Sequence, residues 1–148
     1  MKSVFNQNDN QELIDRIEKI QYDSKPIWGK MNAAQMFAHC KVTVDIGKGE
    51  IEPKRNIIGF LFGKIALKAM IEKPIKPNLP TGKEFIIPTS VDFEKSKKNL
   101  IDSYQSLHKK GTSIITIKKH PFFGKMTIEQ CDALLWKHLD HHLRQFGV

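Results

Sequence analysis

Apolar residues recur at helical spacing along most of the chain, and no long segment alternates apolar with polar residues as a half-buried sheet would. Leu13, Ile14, Ile17 and Ile20 form one stripe behind the capping pattern Asp9-x-x-Glu12, which predicts a helix over Asn10 to Ile20. A loop holding Pro26, Trp28 and Gly29 follows, and Asn32-x-x-Gln35 opens a second helix that ends near Gly47 or Gly49. A third, strongly apolar helix is predicted over Asn56 to Glu72, with Ile57, Ile58, Phe60, Leu61, Phe62, Ile65, Leu67, Met70 and Ile71. Lys64 and Lys68 interrupt it before it reaches the ~20 apolar residues of a membrane span. Burial against the other helices is its expected fate, with a membrane-surface helix or a dimer contact through Gly59-x-x-x-Gly63 as alternatives.

Pro74, Pro77, Pro80 and Pro88 make Lys73 to Pro88 an irregular connection, because proline removes a helical N–H donor and clashes with the preceding turn. A fourth helix, Val91 to Lys110, turns Phe93, Leu100, Ile101, Tyr104 and Leu107 to one side and closes at Gly111. Ser113 to Lys118 reads as a short extended piece and His120 to Gly124 as a turn. Thr127-x-x-Gln130 then caps the last helix. These elements predict an all-α fold, an up-and-down four-helix bundle with one additional helix, in one domain over residues 1–148.

Composition narrows the function classes. Twenty-four Lys and Arg against sixteen Asp and Glu give a net charge of +8, yet the lysines are scattered and no arginine-rich stripe or RNA-binding signature is present, which argues against nucleic acid as a partner. Cys40 and Cys131 fall inside predicted helices and read as small core residues of a reduced, cytoplasmic protein. The first residues turn polar at once, without a signal-like apolar run, and no transmembrane segment is expected.

Chemistry concentrates in the last helix. His138 and His142 are one helical turn apart, on the stripe that also holds Ile128, Cys131, Leu135 and Phe146, while Lys137, Asp140 and Arg144 point away. His141 lies on the flank of that stripe and is the least suited of the three as a ligand. On the second helix His39 shares an inward face with Asn32, Met36, Thr43 and Ile46. Three imidazoles drawn from two helices would leave one coordination position open, as catalytic metal sites do. The alternative is a polar core in which each histidine is satisfied by protein hydrogen bonds.

The segment Trp28-Gly29-Lys30-Met31-Asn32-Ala33-Ala34-Gln35-Met36 with His39, the turn His120-Pro121-Phe122-Phe123-Gly124, and the closing run from Lys137 to Gly147 together resemble the DinB/YfiT-like superfamily of metal-dependent four-helix-bundle proteins, in a branch of unknown function. The resemblance spans essentially the whole chain. It implies His39, His138 and His142 as metal ligands, and the family pattern His-x-x-His-His-x-x-Gln continues through His141 and Gln145. It further implies a divalent ion (Zn, Ni, Fe or Mn), a small-molecule substrate or low-molecular-weight thiol, and a homodimer.

The expected function is accordingly a metal-dependent enzyme that activates water or a thiol for hydrolysis or S-transfer. His141 is the candidate catalytic group, there being no inward carboxylate, and Gln35 and Gln145 are the candidate cofactor-binding residues, with capping or solvated polarity as the alternative for each. From a different class stands a non-catalytic helical binding protein with core histidines.

Overall fold

A computed structural model of the chain describes residues 2–54, 57–80, 82, 85–117 and 119–148. These residues are all-α: α1 (Gln7–Lys19), α2 (Ala33–Gly47), α3 (Ile57–Glu72), α4 (Phe93–Lys110) and α5 (Ile128–Gln145), with a 3-10 turn at Gly111–Ile114. No strand occurs among the described residues; His120 and Gly124 form an isolated bridge across their turn. Asn56 and Lys118, the predicted ends of two elements, lie outside the described residues.

Local chemistry explains most boundaries. Asn32 with Gln35 and Thr127 with Gln130 form complete capping boxes, each side chain bonding the other residue's backbone N–H at the two expected helix starts. The first helix begins earlier than the Asp9-x-x-Glu12 pattern predicts. Its cap is Asn6, whose Oδ1 accepts from the amides of Asn8 and Asp9, while the Asp9 carboxylate accepts from the Ser3 amide. Gly111 ends α4 with a positive φ of 63° and returns its N–H to Leu107 O. The expected extended piece after it starts later, because Gly111–Ile114 first make the 3-10 turn.

Four helices share one core. Leu13 and Ile17 from α1, Met36, Phe37 and Val44 from α2, Leu100, Tyr104 and Leu107 from α4, and Leu135, Leu139 and Leu143 from α5 are nearly or wholly removed from solvent. Each such side chain contributes roughly 1.5–3 kcal/mol relative to leaving it exposed. Two buried polar groups fix the register of this packing. Tyr104 Oη donates to Leu135 O at 3.0 Å, and Asn10 Nδ2 donates to Val4 O and Tyr104 O at 2.6 and 2.9 Å. Cys40 and Cys131 are buried free thiols, and burial pushes Cys131 up to about 12, so both behave as core residues.

The fate expected of α3 is not the one observed. It packs on α5, burying Gly59, Gly63 and Leu67, and leaves Ile57, Ile58, Phe60, Leu61, Phe62 and Ile65 more than half exposed. Gly63 shows why the helix sits this way: a Cβ there would lie 2.1 Å from Phe122 O, so only glycine lets the helix reach the turn after α4. The Gly59-x-x-x-Gly63 stripe is therefore spent on an internal contact and is not available to a second copy.

Candidate metal centre

The packing of α2 against α5 sets His39 opposite His138 and His142. One ring nitrogen from each lies within 4.8 Å of the others, and the ring centroids are 5.0, 4.9 and 4.7 Å apart. His39 Nε2 and His138 Nε2 approach to 3.2 Å. Two imidazole nitrogens bound tetrahedrally at ~2.0–2.1 Å would stand about 3.4 Å apart, so this pair is already at ligand spacing. His39 and His142 are buried and His138 is partly buried. Three of the described histidines can therefore hold a metal ion.

Hydrogen bonds around the rings decide which nitrogens face inward. His39 Nδ1 donates to Phe85 O at 3.2 Å, and His142 Nδ1 donates to Gln145 Oε1 at 2.8 Å. The Gln145 amide cannot turn over without loss, because its Nε2 donates to Trp28 O at 2.7 Å. With the proton held on Nδ1, each of these two rings presents an Nε2 lone pair to the centre. Without an ion, His138 Nε2–H donates to the His39 lone pair; to ligate through Nε2 as a neutral ring, His138 would carry that proton on Nδ1 instead.

Burial keeps the rings neutral. It pushes His142 down to about 3, with repulsion from His39 adding to the effect and the Gln145 bond opposing it. His39 is lowered by burial against the opposing Phe85 bond, and His138 is held well below its ordinary value by burial and then by repulsion from His142 and His39. Neutral imidazoles are what a divalent ion requires. No carboxylate joins the group among the described residues. Asp140 points away from the histidines, as expected, and pairs with Arg16 of α1 at 2.8 Å and Arg144 at 3.1 Å. An ion held by three neutral ligands keeps its full charge and attracts an anion to the open position.

His141 is outside the group but beside it. Its half-buried ring stacks obliquely on Trp28 at 5.7 Å, lies 5.1 Å from His142, and donates to the Ile75 carbonyl. Burial lowers its pKa. Gln35 closes the capping box with Asn32 and donates to Ile87 O at 2.7 Å, which anchors the segment that brings Phe85 O to His39. Gln145 is buried between His142 and Trp28. Gly29, at φ 80°, makes that reach feasible, since a Cβ on it would meet Gln145 Nε2 at 2.5 Å. Ile128, expected on the inward stripe, is 41% exposed at the start of α5.

Sequence reasoning missed the backbone acceptors Phe85, Ile75 and Trp28, since a carbonyl leaves no mark in residue type. It also passed over His120, which reads in the sequence only as part of a turn. His120 Nδ1 accepts from the amides of Phe122 and Phe123 at 3.2 Å each, and burial pushes its pKa down to about 4. Replacing Gln145 by Leu frees the His142 ring, and the expected cost is ~10–100-fold in metal affinity, as for other residues that orient a ligand. Competition with a chromophoric chelator would measure it, and an unchanged affinity would reject the orienting role.

Neither a curated protein nor a solved structure matches the chain. Residues 4–147 match the model of the family described as protein of unknown function (DUF1569), and the chain belongs to that family.

Proposed function

We propose that the chain is a divalent-metal-dependent enzyme of DinB/YfiT-like type, a four-helix bundle of α1, α2, α4 and α5 with α3 added, acting on a small molecule by hydrolysis or by transfer of a low-molecular-weight thiol. The observation that carries this reading is the convergence of His39, His138 and His142 within 4.8 Å, with the Nδ1 protons of His39 and His142 already committed elsewhere. When bound, the ion supplies Lewis acidity that ionises water or a thiol near neutral pH. The chain's own residues do the rest. The histidines bind through inward lone pairs, Phe85 O and Gln145 Oε1 hold the outer protons, and Gln35 keeps the Phe85 segment in place. His141 is the group placed to move a proton. Trp28 Nε1, a buried N–H without a protein acceptor beside His141, offers a donor to a substrate.

One observation favours the non-catalytic reading: the 3.2 Å contact of His39 with His138 pairs their two facing nitrogens without an ion. Cobalt-loaded, tag-free protein discriminates between the two. Titration with a small thiol should produce a thiolate-to-cobalt absorption band, and His141→Gln should keep that band while slowing conjugation of the thiol to an electrophile, or hydrolysis of an activated ester, by ~10²-fold or more. A cobalt spectrum indifferent to thiol, in protein that turns over neither substrate class, would overturn the enzyme reading.

A further inference from the structure

The outward side of α3 is built for a partner. Ile57 (80% exposed), Ile58 (65%), Phe60 (70%), Leu61 (61%), Phe62 (57%) and Ile65 (70%) leave a patch on the order of 800 Å², above the ~300–600 Å² of the largest apolar patch on a typical monomer. At 100° per residue, Ile57, Leu61, Ile65 and Lys68 lie in one arc opposite Gly63. The helix cannot roll to bury that arc, because Gly63 is locked against Phe122 O.

Charge selects among the possible occupants. Lys54 precedes the helix, Lys64 and Lys68 lie along it, and Lys73 and Lys76 follow, all exposed. Lys125 adds another exposed cation where the Lys64 ammonium rests on its carbonyl. The helix has one acidic residue, Glu72, 4.0 Å from Lys68. A second copy would set two lysine-rimmed faces, each on a chain of net charge +8, against one another. An anionic leaflet instead meets the lysines with headgroups and the apolar arc with acyl chains. No helix among the described residues is long and apolar enough to cross a membrane, so this one would lie in the interface plane.

We infer that α3 docks the protein on an anionic lipid surface through Ile57, Ile58, Leu61, Phe62 and Ile65, with Lys64 and Lys68 at the headgroups. The test is sedimentation of the full chain with vesicles of phosphatidylcholine alone or mixed with phosphatidylglycerol, at about 0.15 M salt, where exposed charges farther apart than ~8 Å are screened. Partition onto the anionic vesicles should exceed that onto neutral ones by about tenfold or more, two lysines at the surface each contributing about fivefold. Leu61→Glu with Ile65→Glu should abolish it with the helical circular dichroism unchanged, since both positions face outward. Lys68→Gln should weaken it about fivefold. Wild-type protein that stays in the supernatant, or a double variant that binds as wild type does, would overturn the inference. So would a solution dimer that the double variant splits while vesicles capture nothing, which would assign the face to a second copy.

Discussion

Replacing His142 by alanine is expected to remove stoichiometric metal binding from a protein that otherwise takes up about one divalent ion per chain. The variant leaves two imidazoles, and the loss should exceed the ~10–100-fold that follows from disturbing a residue that only orients a ligand. His138→Ala should behave the same way. His141→Ala should not, because its ring is held by Ile75 and Trp28 outside the converging group. The helices should persist in His142→Ala, since the cost to folding is mainly the stranding of Gln145 Oε1, about 1–3 kcal/mol for a buried acceptor. Elemental analysis and calorimetric titration of tag-free protein with zinc, nickel, manganese or iron read the outcome directly. Wild-type protein that binds none of these, or His142→Ala that binds as wild type does, would refute the site.

The metal-free protein is expected to lose stability steeply as the pH falls below about 6.5, and bound metal should delay that loss. Burial holds His142 at about 3 and His120 at about 4 against an ordinary value of 6.5, and lowers His39 and His138 as well. Below pH 6.5 the unfolded chain takes up protons that the folded chain refuses. Unfolding therefore becomes more favourable, and stability present above that pH is lost as the folded values are approached. Each unit of depression is worth ~1.4 kcal/mol, a pH-dependent cost that counts against the ~5–15 kcal/mol that holds a domain folded. Asp132, whose carboxyl burial raises, opposes the trend only near the carboxylate range. Urea midpoints with a chelator at about pH 7.5 and pH 5 test the sign. A midpoint that does not fall would show that the rings are solvated and would undo the electrostatic picture of the centre.

The legible parts of the site are those that rest on side-chain identity at helical spacing. His138 and His142 face the same way because a helix turns about 100° per residue, and the same periodicity sets His39 on the inward face of α2. That Asp140 points away from them was legible on the same grounds, though not that it meets Arg16 of α1. The capping boxes at Asn32 and Thr127 could be read because the bonds involved span only three residues. The start of α1 was misplaced because Asp9 has two competing backbone partners in reach, and the amide of Ser3 captures it while Asn6 takes the cap.

Residue order alone thus determined the all-α class, most helix boundaries and the inward pointing of three histidines, since each follows from contacts within a turn or two of backbone. Only the tertiary structure decided that those histidines meet, that backbone carbonyls of the 73–88 connection and the Trp28 loop hold His39, His141 and His142 in place, and that the most apolar helix turns outward. Hydrophobicity states how much a helix gains from leaving water, whereas which face it hides depends on a close approach such as Gly63 to Phe122, made by residues far apart in the chain.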